Sequence, residues 1–289
     1  MDQGPGTLAV VGCGRLGLTM ALAFATKGFT VHGVDISPSL VAGIADRTFS
    51  SDEPGVNEAM RAIPADDPRL QATTDLAAAA AVADTVLICV DTPSTGGERH
   101  YDHSKVGAVL SALNSHAARQ QAAGGEAGSG SASGIPRHVV VCCTVMPGYL
   151  IEVGAHLLRD SPQLRAGLLY NPLFIAQGEI MRGLLRPDLI LIGEAGDRVG
   201  ESSGGNALTQ IWARVCELGD ESGERSGSGS GSGSRDLPIR RMSWTSAEIT
   251  KLSLNCFVTM KIAFAVGAVL ALSAQCPRFL SSLTNYSSY

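Results

Sequence analysis

The sequence predicts an α/β fold, a doubly wound parallel sheet followed by one long helix. Three observations carry this reading. Apolar runs of strand length alternate with helix-like runs along most of the chain. The first strand and helix are joined by Gly12-Cys13-Gly14-Arg15-Leu16-Gly17, with glycines in the GxGxxG spacing. The last apolar run, from Thr245 to about Gln275, is far too long for a strand.

The elements follow in order. Leu8–Val11 is the first strand and Leu18–Thr26 the first helix. In the turn between them, Gly12 permits the tight bend and Gly14 lets backbone N–H groups approach a pyrophosphate. Gly17 lets the helix pack close to the strand, and Arg15 and Leu16, within the turn, join the candidate cofactor-binding residues. A second strand, Thr30–Val34, ends in Asp35, twenty-three residues after Gly12. A carboxylate there accepts hydrogen bonds from an adenosine ribose, so the whole unit reads as a Rossmann-type dinucleotide site. Ile36 follows and no arginine is adjacent, which favours NAD over NADP, whose 2′-phosphate the carboxylate would repel.

Pro38–Asp46 is the second helix, and Arg47–Met60 reads as a polar loop containing Glu53-Pro54-Gly55. Leu70–Thr73 is a short strand, and Thr74-Asp75 caps an alanine-rich helix to Ala83. Thr85–Val90 is a buried strand ending in Asp91-Thr92-Pro93-Ser94. Parallel strands present ligands at their carboxyl ends, so Val90, Asp91 and Thr92 join the candidate cofactor-binding residues. Tyr101-Asp102 starts the helix Ser104–Gln121, whose Val106, Val109, Leu110 and Leu113 share a face. Residues 122–134 are rich in Gly, Ser and Ala and read as a mobile loop.

Strand His138–Cys143 leads into Thr144-Val145-Met146-Pro147-Gly148, with Cys142 and Cys143 read as buried packing thiols. Helix Tyr149–Arg159, strand Leu168–Tyr170, loop Asn171–Gly178, strand Leu189–Ile192 and helix Asn206–Leu218 follow. Ser226–Ser234 alternates strictly between Ser and Gly, the composition of a solvated tether. Leu237–Met242 is the last strand, and Thr245-Ser246-Ala247-Glu248 has the form of a capping box, with Glu248 in the capping role. The expected organisation is therefore one dinucleotide-binding domain over 1–243, mobile at 122–134 and 222–235, and a helical segment over 244–289.

The net charge of −5 and an aromatic content of 5% argue against a nucleic-acid surface. Seven cysteines, an odd count without paired spacing, fit reduced thiols in a cytoplasm. The apolar run near the N-terminus is the first strand rather than a signal peptide. Leu252–Cys276 is long enough to cross a bilayer. Lys251, Asn255, Lys261 and the helix-start signal favour a buried helix instead, with no membrane partner. In a monomer that helix would expose a large apolar face, so a homodimer is expected. No metal site is expected.

Several segments together resemble the UDP-glucose/GDP-mannose dehydrogenase family: VVGCGRLG (10–17), GVDIS (33–37), EPG (53–55), TTD (73–75), ICVDTPS (88–94), CTVMPG (143–148), NPLFIAQG (171–178), RPDLILIG (186–193) and SAEITKLSLNCFVTMKIAF (246–264). They stand in the family's order and span nearly the whole chain. The resemblance implies oxidation of a sugar alcohol to a carboxylate in two NAD-dependent hydride steps. It also implies a long central helix that pairs two subunits, a second Rossmann-like domain for the nucleotide sugar, and a nucleophilic Cys in a Gly-rich segment opening that domain. Neither that segment nor that domain is found in the sequence up to Tyr289, and Cys276, in the tail of the long helix, is not assigned the role.

Two departures fall inside the 171–178 loop, where the family pattern has Glu and this chain has Leu173 and Gln177. Leu cannot take a proton or hold a water; Gln177 keeps its hydrogen bonds, and a place among the cofactor contacts, without the charge. Lys251 and Asn255 match the family's catalytic Lys and Asn in KxxxN. At i and i+4 both leave one helix face, where Asn supplies amide donors and Lys polarises an alkoxide or takes a proton if its pKa falls from about 10.4 towards neutral. A solvated lysine pairing with Glu248 is the alternative. Thr144 matches a motif threonine near the reacting centre and the cofactor, with strand-end capping as its alternative. Glu53 is either a neighbour of the nicotinamide or a plain loop carboxylate. The expected activity is an NAD-dependent oxidoreductase limited to single-hydride alcohol/carbonyl exchange, or redox-neutral epimerisation, on a nucleotide-linked sugar or related polyol, since no thiol is placed to hold an aldehyde. The alternative is a catalytically silent NAD-binding dimer acting as a partner or regulator.

Overall fold

The computed structural model describes residues 6–96, 101–123, 133–196, 199–216 and 237–275. The tether at Ser226–Ser234, most of the 122–134 loop and Cys276 lie outside the described residues. One sheet of eight strands organises the chain, in the order β3-β2-β1-β4-β5-β6-β7-β8. The strands are β1 Thr7–Val11, β2 Thr30–Val34, β3 Leu70–Thr73, β4 Thr85–Ile88, β5 His138–Val141, β6 Leu168–Tyr170, β7 Ile190–Glu194 and β8 Ile239–Ser243.

The first six strands are parallel, as their apolar, turn-bounded runs predict. The seventh is not. β6 meets β7 antiparallel through the single pair Tyr170↔Gly193, and β8 lies parallel to β7. The expected doubly wound parallel sheet is therefore present, with one reversal at β7. Between β6 and β7 the helix α8, Ile180–Leu185, has six residues. The chain enters β7 from the carboxyl edge and runs back down.

Side chains alternate across the sheet, and each face carries its own core. Leu8, Val10, Leu87 and Val140 face a layer built from α1 (Arg15–Thr26), α2 (Pro38–Ala45), α3 (Val56–Ala62), α8 and α9 (Ser203–Val215). Ala9, Val11, Val86, Ile88, Val139 and Val141 face α4 (Leu76–Val82), α5 (Ser104–Ala122), and the stretch around α6 (Ala155–Leu157) and α7 (Pro162–Ala166). Asp75 caps α4, its Oδ1 accepting the Ala78 N–H at 3.0 Å, and Asp102 accepts the Ser104 N–H at 2.8 Å where α5 begins. Both fulfil the sequence reading.

Other elements differ from it. The polar loop expected over 47–60 contains α3, whose Val56 and Met60 bury one face. Arg47 sits just past α2 with φ of +58°. Its guanidinium donates to the carbonyls of Ile44, Ala45, Ile63, Pro64 and Leu70 at 2.6–3.2 Å, closing the end of α2, the exit of α3 and the end of β3's first residue together. The helix expected at 149–159 opens as a π-helical stretch, Leu150–Gly154, before α6. At the far edge, Glu194 of β7 is fully buried and accepts Arg241 of β8 through Nε at 2.8 Å and Nη2 at 2.6 Å. Burial alone would raise that carboxyl, but Arg241, Gly200 and Ser202 outweigh it and hold it below its ordinary value.

The last helix, α10, runs Trp244–Gln275. Ser243 Oγ accepts the Ser246 N–H at 3.3 Å, so the start lies before the expected capping box. Contacts divide the chain into a unit through Glu248 and a helical unit from Ile249 onward. In a single copy the helical unit exposes its apolar residues, as the sequence reading expects of a monomer. Phe257, Val258, Met260, Ile262, Phe264, Val266, Val269 and Leu270 are 50–78% exposed. Apolar residues ring this helix on all sides, so one face cannot satisfy them. By length and composition Trp244–Leu270 is also sufficient to cross a membrane.

Candidate functional site

The carboxyl edge of β1 and β2 gathers the expected dinucleotide contacts. Gly12 has φ of +93°, and a Cβ there would sit 3.0 Å from the Cys89 carbonyl and the Val90 Cα. At Gly17 a Cβ would stand 1.8 Å from the Gly12 oxygen, so no side chain fits. Gly14, the N-cap of α1, has open space above it. The first helical bond of α1 is Leu18 N–H to Gly14 O at 2.9 Å. The amides of Arg15, Leu16 and Gly17 therefore have no helical acceptor and point out of the turn, with the positive end of the helix dipole behind them. This cradle is shaped for an anionic phosphate pair.

Asp35 is fixed by its surroundings. Its Oδ2 accepts the Cys13 N–H at 2.8 Å and its Oδ1 the Ser37 N–H at 2.9 Å. Each oxygen retains a lone pair for a further donor, and the carboxylate is bolted to the glycine turn. Ile36 beside it is 93% exposed. Gly33 matters for the same corner, because a Cβ there would stand 2.9 Å from Cys13 Sγ. Glycine turn, anchored carboxylate and open apolar neighbour together fit a dinucleotide.

On the other side of the turn, Arg15 Nη1 donates to Gln177 Oε1 at 2.9 Å. Two residues named from sequence for different reasons are thus in contact. The loop carrying Gln177 is anchored by Glu53, which is only 4% exposed and accepts the Gly178 N–H at 3.0 Å and the Ile180 N–H at 2.7 Å. Glu53 is not a plain loop carboxylate: it is the clasp of the 171–178 loop. Asn171 at the root of that loop is fully buried, donating to Leu191 O at 2.8 Å and accepting from Trp212 Nε1 at 2.9 Å.

Val90, Asp91 and Thr92 follow β4, which stops at Ile88, and Val90 reaches the Gly12 turn. Asp91 pairs with Lys105 at 3.2 Å on the surface, a contact of small energetic weight. Thr144 lies half-buried past the end of β5, one strand further along the same edge. Glu248 corrects the sequence reading again. Its carboxylate, fully buried, accepts the Gly148 N–H at 2.6 Å and the Leu150 N–H at 2.9 Å. It therefore caps the π-helical stretch rather than its own helix. Burial raises its pKa despite those two amides, with Glu152 adding to the rise.

Lys251 and Asn255 belong to the helical unit and stand one turn apart on α10. Lys251 is 9% exposed, and burial pulls its ammonium down to about 8, so it is not the solvated lysine of the alternative reading. Asn255 is half-buried. Among the described residues no cluster of three or more His, Cys, Asp or Glu is gathered for a metal. The clasp roles of Glu53 and Glu248 escaped sequence reasoning, because their partners lie 98 to 127 residues away and backbone acceptor needs leave no side-chain pattern.

Residues 6–215 match the NAD binding domain of the UDP-glucose/GDP-mannose dehydrogenase family. The UDP-glucose 6-dehydrogenase of Haloferax volcanii is 27% identical over 263 residues, which cover 89% of this chain and 52% of that protein. The GDP-mannose 6-dehydrogenase of Pseudomonas syringae pv. tomato is 26% identical over 269 residues, covering 89% and 51% respectively. This chain thus spans about half the length of the curated relatives it matches. Among solved structures, the GDP-mannose dehydrogenase of Pseudomonas aeruginosa shares the fold with a TM-score of 0.71 and 23% identity, over 89% of this chain and 51% of the other. A UDP-glucose dehydrogenase from Pyrobaculum islandicum does so with a TM-score of 0.69 and 24% identity, over 91% and 52%. The match of the glycine cradle and Asp35 to that domain makes the cofactor NAD, and the chain belongs to the UDP-glucose/GDP-mannose dehydrogenase family.

Proposed function

We propose that this chain is an NAD-dependent oxidoreductase that exchanges one hydride with the alcohol or carbonyl carbon of a nucleotide-linked sugar or related polyol. The observation that carries the reading is Lys251, an amine held by burial at a pKa of about 8. A sizeable neutral fraction near physiological pH lets it accept a hydroxyl proton as the carbon is oxidised, and return it in the reverse direction. Asn255, one turn on, supplies amide donors to the same oxygen. The amides of the first turn of α1 hold the pyrophosphate and Asp35 holds the ribose. The Ile36 side chain offers an apolar surface to the base, and Arg15 with Gln177 borders the seat. When bound, NAD supplies the two-electron acceptor. The names of the relatives support a nucleotide-linked sugar as substrate class.

Two residues within the loop at 171–178 support a limit of one hydride. Leu173 and Gln177 stand where the resemblance expects glutamates, and neither takes a proton. Oxidising an aldehyde further needs an activated water or a thiolate. The thiols near the cofactor edge are poor candidates: burial pushes Cys13 up to about 12 and also raises Cys143. If NAD is retained between two opposite hydride steps, the same groups support redox-neutral epimerisation. The same two substitutions also favour a second reading, a catalytically silent NAD-binding dimer whose exposed apolar helix seats a second copy.

One experiment separates these. Purified protein is incubated with NAD and a panel of nucleotide sugars, reduced nicotinamide is followed optically, and products are identified by mass spectrometry. An aldehyde, ketone or epimer is the expected product. A uronate would overturn the single-hydride limit. Intact NAD binding without turnover, label exchange or isomerisation would support the silent dimer.

A further inference from the structure

We propose that Cys89 and Cys142 form an oxidisable dithiol beneath the dinucleotide seat, and that closing it into a disulfide weakens NAD binding. The register of β4 and β5 pairs Ile88 with Val141, so the next two residues, Cys89 and Cys142, stand opposite each other. The ladder continues there, with Cys142 N–H donating to Ile88 O at 2.9 Å. Both side chains face the same core layer. Adjacent strands lie about 4.8 Å apart, inside the range of roughly 4.4–6.8 Å that a disulfide spans between Cα atoms. The Cys89 S–H donates to Met20 Sδ at 3.7 Å, and both thiols are free.

The neighbouring thiols are directed elsewhere. Cys13 Sγ lies 3.6 Å from Val34 O and 3.7 Å from Val10 O, and Cys143 Sγ donates to Ile88 O at 3.2 Å. Cys142 Sγ likewise lies 3.9 Å from Val140 O, so it is the strand register that pairs Cys89 with Cys142 among the four cysteines at this edge. Cys89 is also the floor of the cofactor turn. A Cβ on Gly12 would be 3.0 Å from the Cys89 carbonyl, and one on Gly17 would be 3.3 Å from Cys89 Cβ. A disulfide holds its two Cβ atoms at about 3.8 Å. Closure thus fixes the Cys89 Cβ towards β5 and changes the contact it offers Gly17.

The oxidant is a peroxide. The thiolate of Cys89, the more accessible of the two, attacks one peroxide oxygen; the O–O bond breaks and hydroxide leaves, giving a sulfenic acid. The Cys142 thiolate attacks that sulfur, the S–O bond breaks and a second hydroxide leaves. The two thiol protons convert both hydroxides to water, so two thiols lose two electrons and the peroxide gains them. The Cys142 thiol beside it and burial hold the Cys89 thiol well above its usual pKa, which makes the step slow at neutral pH and faster in alkali.

The test uses the reduced full chain treated with hydrogen peroxide, with and without NAD. Non-reduced peptides are mapped by mass spectrometry, and NAD affinity is measured by calorimetry before oxidation, after it, and after dithiothreitol. We expect a Cys89–Cys142 peptide from monomeric chain, an NAD Kd raised at least tenfold, recovery on reduction, and slower oxidation when NAD is bound. Cys142→Ala, and Cys142→Ser as a second variant against a packing fault, should bind NAD like the reduced chain and resist the peroxide effect. A linked peptide with unchanged Kd overturns the proposal. So does a loss of affinity that persists in both variants, or oxidation confined to the exposed Cys256.

Discussion

Lys251 is the residue on which the chemistry turns, and its titration gives two separable signatures. Its folded pKa of about 8 lies below the value of 10.5 it has in an unfolded chain. Between those values the unfolded state binds more protons, so this group's contribution to stability rises with pH across that window. Below it, the charged buried amine costs about 3 kcal/mol at 1.36 kcal/mol per pKa unit. Lys251→Met should therefore be more stable than the parent at pH 7, with the gap in chemical-denaturation midpoints shrinking at pH 10. An unchanged gap would mean that the amine is already neutral or already hydrated. In catalysis, turnover should rise with pH to a plateau above about 8. Lys251→Ala should keep NAD affinity by calorimetry while losing about 10²–10⁴-fold in turnover, the usual weight of a general base; losing both would identify a structural lysine. Asp35→Ala should weaken NAD binding by tenfold or more, and an unaltered affinity would refute the ribose contact. Asp35 was legible because a local rule fixes its distance from the glycines. The burial of Lys251 was not, since nothing in its heptad distinguishes an amine facing solvent from one facing protein.

At the level of elements, the long periodic runs were readable and the short ones were not. Helices α3, α7 and α8 have seven, five and six residues, too few turns for a period of 3.6 to stand out from a loop. Strand direction was invisible for a related reason: an apolar run reads the same in either sense. The clasp between Glu53 and the loop at 171–178 offers a test at this scale. Glu53→Gln replaces one acceptor oxygen by a donor facing the Gly178 or Ile180 amide, and should cost about 1–3 kcal/mol. Thermal unfolding would register it, and NAD affinity should fall with it as Gln177 and Arg15 separate. A lowered melting point with NAD affinity intact would show that the loop does not border the seat. Gly17→Ala should fail to fold, given the 1.8 Å approach, whereas Gly14→Ala should fold normally. Soluble yield and circular dichroism would distinguish the two.

Across the whole molecule, the helical unit and the sheet place different demands on a partner. The apolar residues exposed from Phe257 to Leu270 should draw two copies together, and sedimentation without detergent is expected to report a dimer. Monomer that co-sediments with lipid vesicles would assign that surface to a bilayer instead. The sheet itself is unevenly sewn. β7 and β8 share five register pairs and the Glu194–Arg241 bridge, whereas β6 and β7 share one pair, reinforced by the Asn171 side chain reaching Leu191 and Trp212. That seam predicts a cooperative sub-global opening: in native-state deuterium labelling, the amides of β7 and β8 should exchange as one block, ahead of those in β1 and β4. Asn171→Ala should lower the free energy of that opening by about 1–3 kcal/mol while leaving β1 protection untouched. A single isotherm for all eight strands would show that the stitch is as strong as the cloth.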